Sequence, residues 1–268
     1  MKRFVVYPYK MSSEAAKLLA ERLGVKRVRQ FGGYKPRKDD IIINYGNAHE
    51  PNWAKRLKPS NVVLNHWDSV AICCDKLLSF NTLRENKISI PDFTTDIEVA
   101  KTWITKHTVF CRTVLNGHSG LGIVVATKSE ELVPAPLYVK YIKKIAEYRI
   151  VVFGDVVIDV IQKKRRVDYN GKVDPLICSY HKGWVFTRDL VNPPKCVLDE
   201  AVKTVKALKL DFGGVDIVFN KHYNKAYVLE GNTACGIASP TSLKRYTDAF
   251  NATLKGEKPK EFTVVNAE

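Results

Sequence analysis

In the stretch Gly213-Gly214-Val215-Asp216-Ile217-Val218-Phe219, apolar and β-branched residues predict a β-strand, and Tyr227-Val228-Leu229-Glu230-Gly231-Asn232 predicts a second one. The polar residues between the two runs predict a turn, so the strands should form an antiparallel hairpin. With the turn centred near Tyr223, Asp216 lies opposite Glu230, because paired positions in a hairpin have a constant index sum. Asn232, two residues further along, projects from the same face. Three oxygen-bearing side chains are therefore predicted to converge on an otherwise apolar hairpin.

Those three side chains suggest a metal site. Two facing carboxylates repel each other, so a positive charge is expected between them. Oxygen ligands without a neighbouring His or Cys favour Mg²⁺ or Mn²⁺ over Zn²⁺. Asp216, Glu230 and Asn232 are therefore the predicted ligands of a divalent cation. The alternative interpretation is a solvated hairpin face that carries scattered acids.

The composition is that of a soluble globular protein, with 45% hydrophobic and 26% charged residues. The 268 residues exceed one small core, which predicts two or three subdomains in one unit. No apolar run reaches the length of a membrane span, and Pro8 interrupts the N-terminal run too early for a secretory signal. A cytosolic protein is expected. The six cysteines show no C-x-x-C spacing, which favours reduced packing residues over a zinc site or a disulfide framework.

The formal net charge of +15 is compatible with two kinds of partner. A basic surface can attract nucleic acid, and it can equally attract nucleotide phosphates or an acidic substrate such as a glutamate-rich peptide. The densest cluster, Lys163-Lys164-Arg165-Arg166, directly follows an apolar strand. That position suits a phosphate-facing strand end at least as well as a nucleic-acid-binding tail.

The order of elements predicts an α/β fold. The first seventy residues alternate short strands with a helix that Ser12 or Ser13 begins and Gly24 ends. The predicted helices are 13–23, 75–86, 96–106, 194–208 and 239–254, and the predicted strands are 4–7, 40–44, 61–64, 108–114, 122–126, 137–142 and 148–162, the last folded as a hairpin at Gly154-Asp155. The glycines of segment 115–122 allow a loop that cradles phosphate, although a plain hairpin loop explains them equally well.

Taken in order, these segments resemble the ATP-grasp superfamily from about residue 65 to the last helix. Asp75-Lys76 followed by Ile90-Pro91 resembles the entry of that fold, whose lysine contacts nucleotide phosphates. Phe110-Cys111-Arg112 with the segment 117–123 resembles the strand and glycine-rich flap over the phosphates, and Arg112 stands where many members have Lys. The flap residues implied as nucleotide contacts are His118, Ser119 and Gly120.

The resemblance also implies roles for residues further along the chain. Lys140, Tyr141 and Ile142 match the adenine-binding hinge, where backbone groups of Lys140 and Ile142 would read the purine edge. Glu147 matches the carboxylate used on the ribose hydroxyls, and Lys163 or Lys164 would reach phosphate. The resemblance gives Asp216, Glu230 and Asn232 the role of metal ligands, in agreement with the hairpin geometry.

Two positions depart from the family pattern. In the D-alanine ligase branch an arginine precedes the metal aspartate by two positions, whereas this chain has Gly214. Arg149 is then the implied source of positive charge for the tetrahedral intermediate, with Lys163 beside it as a second catalytic residue. Cys235 replaces the usual proline after Asn232-Thr233, so the following loop is expected to differ in shape.

The resemblance implies an enzyme that uses ATP and Mg²⁺ or Mn²⁺ to activate a carboxylate as an acyl-phosphate and to join it to an amine. It divides the chain into a preceding α/β domain (1–70), a lid subdomain with the flap (71–136) and a C-terminal subdomain with the hinge and the metal site (137–268). A homo-oligomer is possible. Two alternatives remain: an ATP-grasp kinase or thiol ligase, and a basic nucleic-acid-binding protein with a degenerate ATP site.

Overall fold

The computed structural model describes residues 2–117, 120–178, 180–237 and 239–263. In this part of the chain twelve strands form three sheets, and six α-helices pack against them. The strands are β1 (Arg3–Pro8), β2 (Asp40–Tyr45), β3 (Val62–Leu64), β4 (Phe93–Thr94), β5 (Val109–Arg112), β6 (Ile123–Ala126), β7 (Leu137–Lys140), β8 (Ala146–Phe153), β9 (Val156–Arg165), β10 (Trp184–Thr187), β11 (Phe212–Asn220) and β12 (Lys225–Asn232). The helices are α1 (Glu14–Leu23), α2 (Trp67–Cys74), α3 (Lys76–Glu85), α4 (Ile97–Ile104), α5 (Lys195–Ala207) and α6 (Pro240–Lys255).

The N-terminal sheet is parallel, with β2 between β1 and β3. Helix α1 lies between β1 and β2 in the chain, and the hydroxyl oxygen of Ser13 accepts the Ala16 N–H at 3.3 Å as its N-cap. Gly24 ends the helix with a φ of +67°, a conformation that suits glycine. The cap residues therefore confirm the helix that the sequence predicts.

The second sheet has the strand order β4-β7-β5-β6 and is antiparallel. Helix α4 covers one face through a small core that includes Ala100, Ile104 and Tyr138. Strand β7 pairs with β5 in this sheet, whereas the predicted division places residue 137 at the start of the third segment. Motif order suggests such a boundary, but strand pairing joins residues that are distant in the chain.

The C-terminal sheet has the order β10-β9-β8-β11-β12 and is antiparallel throughout. Helix α5 covers one face, where apolar residues of β8, β11 and β12 form the largest core. Helix α6 and the N-terminal sheet cover part of the opposite face, where Phe153, Phe212 and Phe250 pack together. The uncovered remainder of that face is available for a functional site.

The sequence misses helix α2, which lies directly before the predicted helix 75–86. Asp75 adopts an extended conformation that ends α2, and its carboxylate accepts the N–H groups of Leu77 and Leu78 at 2.9 Å to begin α3. One residue therefore separates two helices, and no glycine or proline marks the break. Strand β10 is also absent from the sequence prediction. Among the described residues no helix is long and apolar enough to cross a membrane.

Candidate functional site

Charged residues from four adjacent strands share the uncovered face of the C-terminal sheet. Asp216 on β11 is paired with Glu230 on β12 and with Arg149 on β8. Glu147, two residues before Arg149, is paired with Lys163 on β9. Residues directly opposite each other point to the same face of a sheet. The predicted pairing of Asp216 with Glu230 is therefore confirmed, and it extends into a row of charges across the sheet.

The predicted turn position needs a correction. Beyond Asp216 the register shifts, so that Ile217 pairs with Val228 and Asn220 with Lys225. Leu229 is the extra residue of this β-bulge, and the turn centres between His222 and Tyr223. A bulge next to Glu230 changes the index sum by one, so the assumption of a constant sum is wrong for the outer half of the hairpin.

Each carboxylate of the row has a cationic partner. Arg149 donates two hydrogen bonds to Asp216, at 2.6 and 2.9 Å, and the Nζ of Lys163 lies 3.3 Å from the same carboxylate. Lys163 also donates to Glu147. The Nζ of Lys76, at the start of α3, lies 2.7 Å from Oε2 of Glu230. The structure thus brings Lys76, Arg149 and Lys163 into one network with the predicted metal-site acids.

The network favours the charged forms of its members. Burial alone would raise the pKa of Asp216, but the charges of Arg149 and Lys163 outweigh it and hold this pKa well below that of an exposed aspartate. Burial likewise opposes ionisation of Glu230, yet the charge of Lys76 lowers its pKa. Burial would lower the pKa of Arg149 and of Lys163, and the neighbouring carboxylates raise both instead. The contacts within the network therefore favour the ionised form of each of these four residues.

Arg112, on β5 of the second sheet, is a half-buried cation whose Nε atom is buried. Its Nε has no hydrogen-bond partner among the described residues. Burial lowers the pKa of Arg112, and the charge of Glu230 opposes this effect. A buried guanidinium donor without a partner costs free energy unless an anion or water binds there. The position of Arg112 is therefore suited to an anionic ligand.

The predicted hinge lies at the end of β7 and lines the cleft. The N–H of Lys140 is donated to the carbonyl of Asp92 at 2.9 Å, and its side chain pairs with the Asp92 carboxylate at 2.7 Å. Tyr141 donates its N–H to Thr108 at 2.9 Å. The N–H of Ile142 has no partner among the described residues. Of the predicted hinge residues, Ile142 has the N–H that a ligand could engage.

These residues surround a cleft of about 590 Å³ between the second and third sheets. This volume is within the usual range for small-molecule sites. Arg112, Gly120, Lys140, Tyr141, Ile142, Glu147, Arg149, Lys163, Asp216, Glu230 and Asn232 are the predicted site residues that line it. Lys76 joins them through Glu230. His118 and Ser119 lie outside the described residues.

Sequence reasoning missed several residues of the cleft. Lys144 lies 2.5 Å from Glu147, and burial, which would lower its pKa, is outweighed by the charge of Glu147. Phe186 on β10 places its ring 4.8 Å from the Arg149 guanidinium and 5.5 Å from the Lys163 ammonium. The three-residue spacing of Lys144 from Glu147 does not indicate the first contact, because such a spacing brings side chains together on a helix and this segment is not helical. Nothing in the sequence indicates the second, because it depends on the unpredicted strand β10.

The loop between β9 and β10 forms one wall of the cleft. Leu176, Ile177 and Cys178 line it, opposite the flap. A Cβ atom at Gly120, whose φ is +84°, would lie 3.1 Å from the Ile177 side chain. Gly120 therefore approaches this loop closely at the wall of the cleft, and a larger residue there would crowd Ile177.

The donor atoms fit a hard divalent cation. Two ionised carboxylates and one amide, on Asp216, Glu230 and Asn232, supply the oxygen ligands that Mg²⁺ prefers. Each carboxylate oxygen has two lone pairs, so it can keep its cationic partner and still contact a metal ion. Among the described residues no group of three or more His, Cys, Asp or Glu side chains forms a larger metal site.

Gly214 and Cys235, which depart from the family pattern, are in contact. A Cβ at Gly214 would overlap Sγ of Cys235 and would lie 3.4 Å from the Arg149 side chain. The carbonyl of Cys235 accepts a hydrogen bond from the hydroxyl of Tyr45 on β2. The absence of a side chain at position 214 therefore makes room for a cysteine that connects the hairpin of Asp216 and Glu230 to the N-terminal sheet.

This contact predicts a specific coupling. Gly214→Ala should lower the free energy of unfolding by about 2 kcal/mol, since the added methyl group overlaps Sγ of Cys235. Cys235→Ala removes the overlapping atom. Gly214→Ala should therefore lower the free energy of unfolding much less in the Cys235→Ala variant than in the wild type. Urea unfolding of the four proteins in the cycle measures the coupling. Strictly additive effects of the two substitutions would contradict the contact.

Comparisons with known proteins identify solved structures that are similar to this chain. No family model matches the chain, and no curated protein matches it. Among solved structures, it is similar to D-alanine–D-alanine ligase from Bacillus anthracis, with a TM-score of 0.60 and 18% identity over 87% of this chain and 86% of that one. It is also similar to the ATP-grasp ligase PsnB, with a TM-score of 0.67 and 13% identity over 92% and 97%. The third is N5-carboxyaminoimidazole ribonucleotide synthetase from Thermotoga maritima, with a TM-score of 0.65 and 11% identity over 99% and 79%.

These likenesses show that the chain has the ATP-grasp fold. The predicted resemblance and the α/β fold class are thereby confirmed.

Proposed function

We propose that the chain is an ATP-dependent ligase that activates a carboxylate as an acyl-phosphate, joins it to an amine and releases ADP and phosphate. One observation carries the proposal. Besides Lys140, which is paired with Asp92, the described part of the cleft brings together five cations and three carboxylates. The cations are on Lys76, Arg112, Lys144, Arg149 and Lys163, and the carboxylates are on Glu147, Asp216 and Glu230. The excess positive charge and the Arg112 donor, which no described residue engages, suit a polyphosphate.

The nucleotide would lie between the second and third sheets. Ile142 offers its N–H to the adenine edge, and apolar side chains such as Phe110 and Val139 line that part of the cleft. Glu147 accepts hydrogen bonds from the ribose hydroxyls. In the structure its two oxygens are bonded to Lys144 and Lys163. Nucleotide binding would therefore redistribute these two lysines, which leaves Lys163 free to contact phosphate.

Lys76 and Arg112 would hold the terminal phosphates together with Lys163. Asp216, Glu230 and Asn232 would hold Mg²⁺ or Mn²⁺, which supplies positive charge beside those phosphates. Two solved structures of PsnB contain Mg and ADP, which supports this assignment. The flap, including His118 and Ser119, would exclude water that could hydrolyse an activated intermediate.

The reaction needs placement and charge rather than a protein nucleophile. A carboxylate oxygen of the substrate attacks the γ-phosphorus, and ADP leaves with the bond electrons. The amine nitrogen then attacks the acyl carbon, and phosphate departs as the amide forms. Arg149, at the centre of the charged row, would stabilise the oxyanion that develops on the acyl oxygen.

A hydroxylamine trap tests the reaction type. The protein is incubated with Mg–ATP, hydroxylamine and pools of amino acids and peptides, and ADP and hydroxamate are measured together. Hydroxamate formation that depends on both ATP and a carboxylate is the expected result. ADP formation with a phosphate ester as product would indicate a kinase. If Mg–ATP gives neither ADP nor a rise in melting temperature, the ligase proposal fails.

A further inference from the structure

The positive charge of the protein is concentrated at its N-terminus. Residues 1–61 contain 14 of the 43 Lys and Arg residues but only 5 of the 28 Asp and Glu residues, a formal net charge of +9 out of +15. The charge is therefore not explained by the cleft, whose residues all come later in the chain.

The N-terminal sheet is covered differently on its two faces. Helix α1 and helix α6 pack on the face formed by Phe4, Val6 and Ile43. The opposite face, formed by Val5, Tyr7 and Ile42, is covered by Trp53, Tyr34 and neighbouring residues of two largely irregular segments. These segments, 29–38 and 52–61, thus form an outer layer over which none of the described α-helices packs.

The two segments run side by side in the same direction. Asn52 donates its N–H to the carbonyl of Gln30 at 3.1 Å, and Arg56 donates to the carbonyl of Tyr34 at 3.1 Å. Asn61 donates to the carbonyl of Arg37 at 2.7 Å. Contacts at both ends and in the middle therefore align the segments along their whole length.

Exposed cations lie along both of these segments. The basic strip consists of Arg29, Lys35, Arg37, Lys38, Lys55, Arg56 and Lys58. Among the described residues, no carboxylate lies within 4 Å of any of these seven side chains, whereas Arg3 and Lys17 of the same domain are paired with acids. The carboxylate of Asp40 accepts hydrogen bonds from the side chains of Arg3 and Tyr34, so it does not neutralise the strip. Phe31 beside the strip is 73% exposed.

One end of the strip lies at the edge of the N-terminal sheet where its strands end. Val28 donates its N–H to Val6 on β1, which places Arg29 beside the carboxyl end of that strand. At the same edge, the end of β2 contacts the loop that follows Asn232, through Tyr45 and through Gly46 against Ala234. A linear ligand on the strip could therefore extend toward the charged row.

We propose that the basic strip binds an extended acidic polypeptide, which is the macromolecular substrate of the ligase. A line of cations that pair with no described carboxylate is complementary in charge to a linear polyanion. The same charge should increase the rate at which the polyanion associates with the protein. Of the two common polyanions, a polypeptide carries the carboxylates that the proposed reaction consumes, and a nucleic acid carries none. This choice of partner rests on the proposed function.

Binding of a labelled decamer of glutamate, measured by fluorescence anisotropy at low salt, tests the strip. The variant Arg29→Gln/Lys35→Gln/Lys38→Gln/Lys55→Gln changes four side chains that form no hydrogen bond or ion pair with described residues. We expect it to weaken binding by about 30-fold. The matched control, Lys106→Gln/Lys128→Gln/Lys206→Gln/Lys221→Gln, removes the same charge from scattered exposed positions and should change binding by less than about three-fold.

Three outcomes would overturn the proposal: equal weakening in the control variant, equal binding of a glutamine decamer, or tighter strip-dependent binding of a ten-residue oligothymidylate. The last outcome would assign the strip to nucleic acid. The rise in melting temperature with Mg–ATP is measured on all three proteins. Its absence from the wild type would refute the proposed ligase, while strip-dependent binding of the glutamate decamer would still show a polypeptide-docking surface.

Discussion

Glu230→Gln should lower the rate of ADP formation by at least about 1,000-fold, because the loss of metal-held charge beside the phosphates costs several kcal/mol of transition-state stabilisation. Asp216→Asn should have an effect of similar size. Both substitutions preserve side-chain shape. The amide oxygen that replaces the Glu230 carboxylate can still accept the hydrogen bond from Lys76, so the fold should persist with a lower melting temperature.

The control for these substitutions is Asp199→Asn, which removes an exposed carboxylate paired with Lys195 on α5. It should leave ADP formation unchanged. Circular dichroism establishes that each variant is folded, and thermal shift measures ATP binding with and without Mg²⁺. The Mg²⁺-dependent part of the stabilisation should disappear in Glu230→Gln. Full ADP formation by this variant would show that Glu230 does not hold the metal ion.

Arg149→Ala should lower kcat by about 100-fold to 1,000-fold and change the KM for ATP by much less, since a charge aimed at a developing oxyanion acts mainly in the transition state. The same substitution removes two hydrogen bonds from the buried carboxylate of Asp216. The pKa of Asp216 should therefore rise from its lowered value. If turnover requires ionised Asp216, the acid limb of the pH profile of kcat should lie at higher pH in Arg149→Ala than in the wild type.

Arg149→Lys separates the charge of this residue from its geometry. Lysine keeps the positive charge but cannot form the bidentate pair with Asp216. We expect it to restore the pH profile and only part of kcat. If Arg149→Ala weakens ATP binding and leaves kcat intact, Arg149 is a nucleotide contact and the catalytic assignment is wrong.

The sequence was sufficient to predict the inner half of the hairpin that carries Asp216 and Glu230. Asp216 and Glu230 face each other because both lie in strongly apolar, β-branched runs, which restrict the register near the core. It was insufficient for the outer half, because the bulge at Leu229 shifts the register and Leu229 is itself an ordinary apolar strand residue. The position of the site was therefore predictable, and the shape of the turn was not.

Long-range contacts explain the other differences. The partners of Lys163 were not predictable, since Glu147 and Asp216 reach it only after three strands have paired. Phe186 enters the cleft on a strand that is too short and too exposed for periodicity to detect. The roles of Lys76 and Arg112 came from the family resemblance rather than from spacing. Lys76 is paired with Glu230 and Arg112 lines the same cleft, and the roles of both residues stay predictions.

The hydrogen bond from Tyr45 to the carbonyl of Cys235 should limit the movement of the N-terminal sheet relative to the C-terminal sheet. It fastens the N-terminal sheet to the hairpin that carries Asp216 and Glu230, and the buried aromatic cluster around Phe250 reinforces this attachment. We therefore expect these two units to move together. If a nucleotide binds in the cleft as proposed, its entry and release should depend on displacement of the four-stranded sheet, which carries Arg112 on β5.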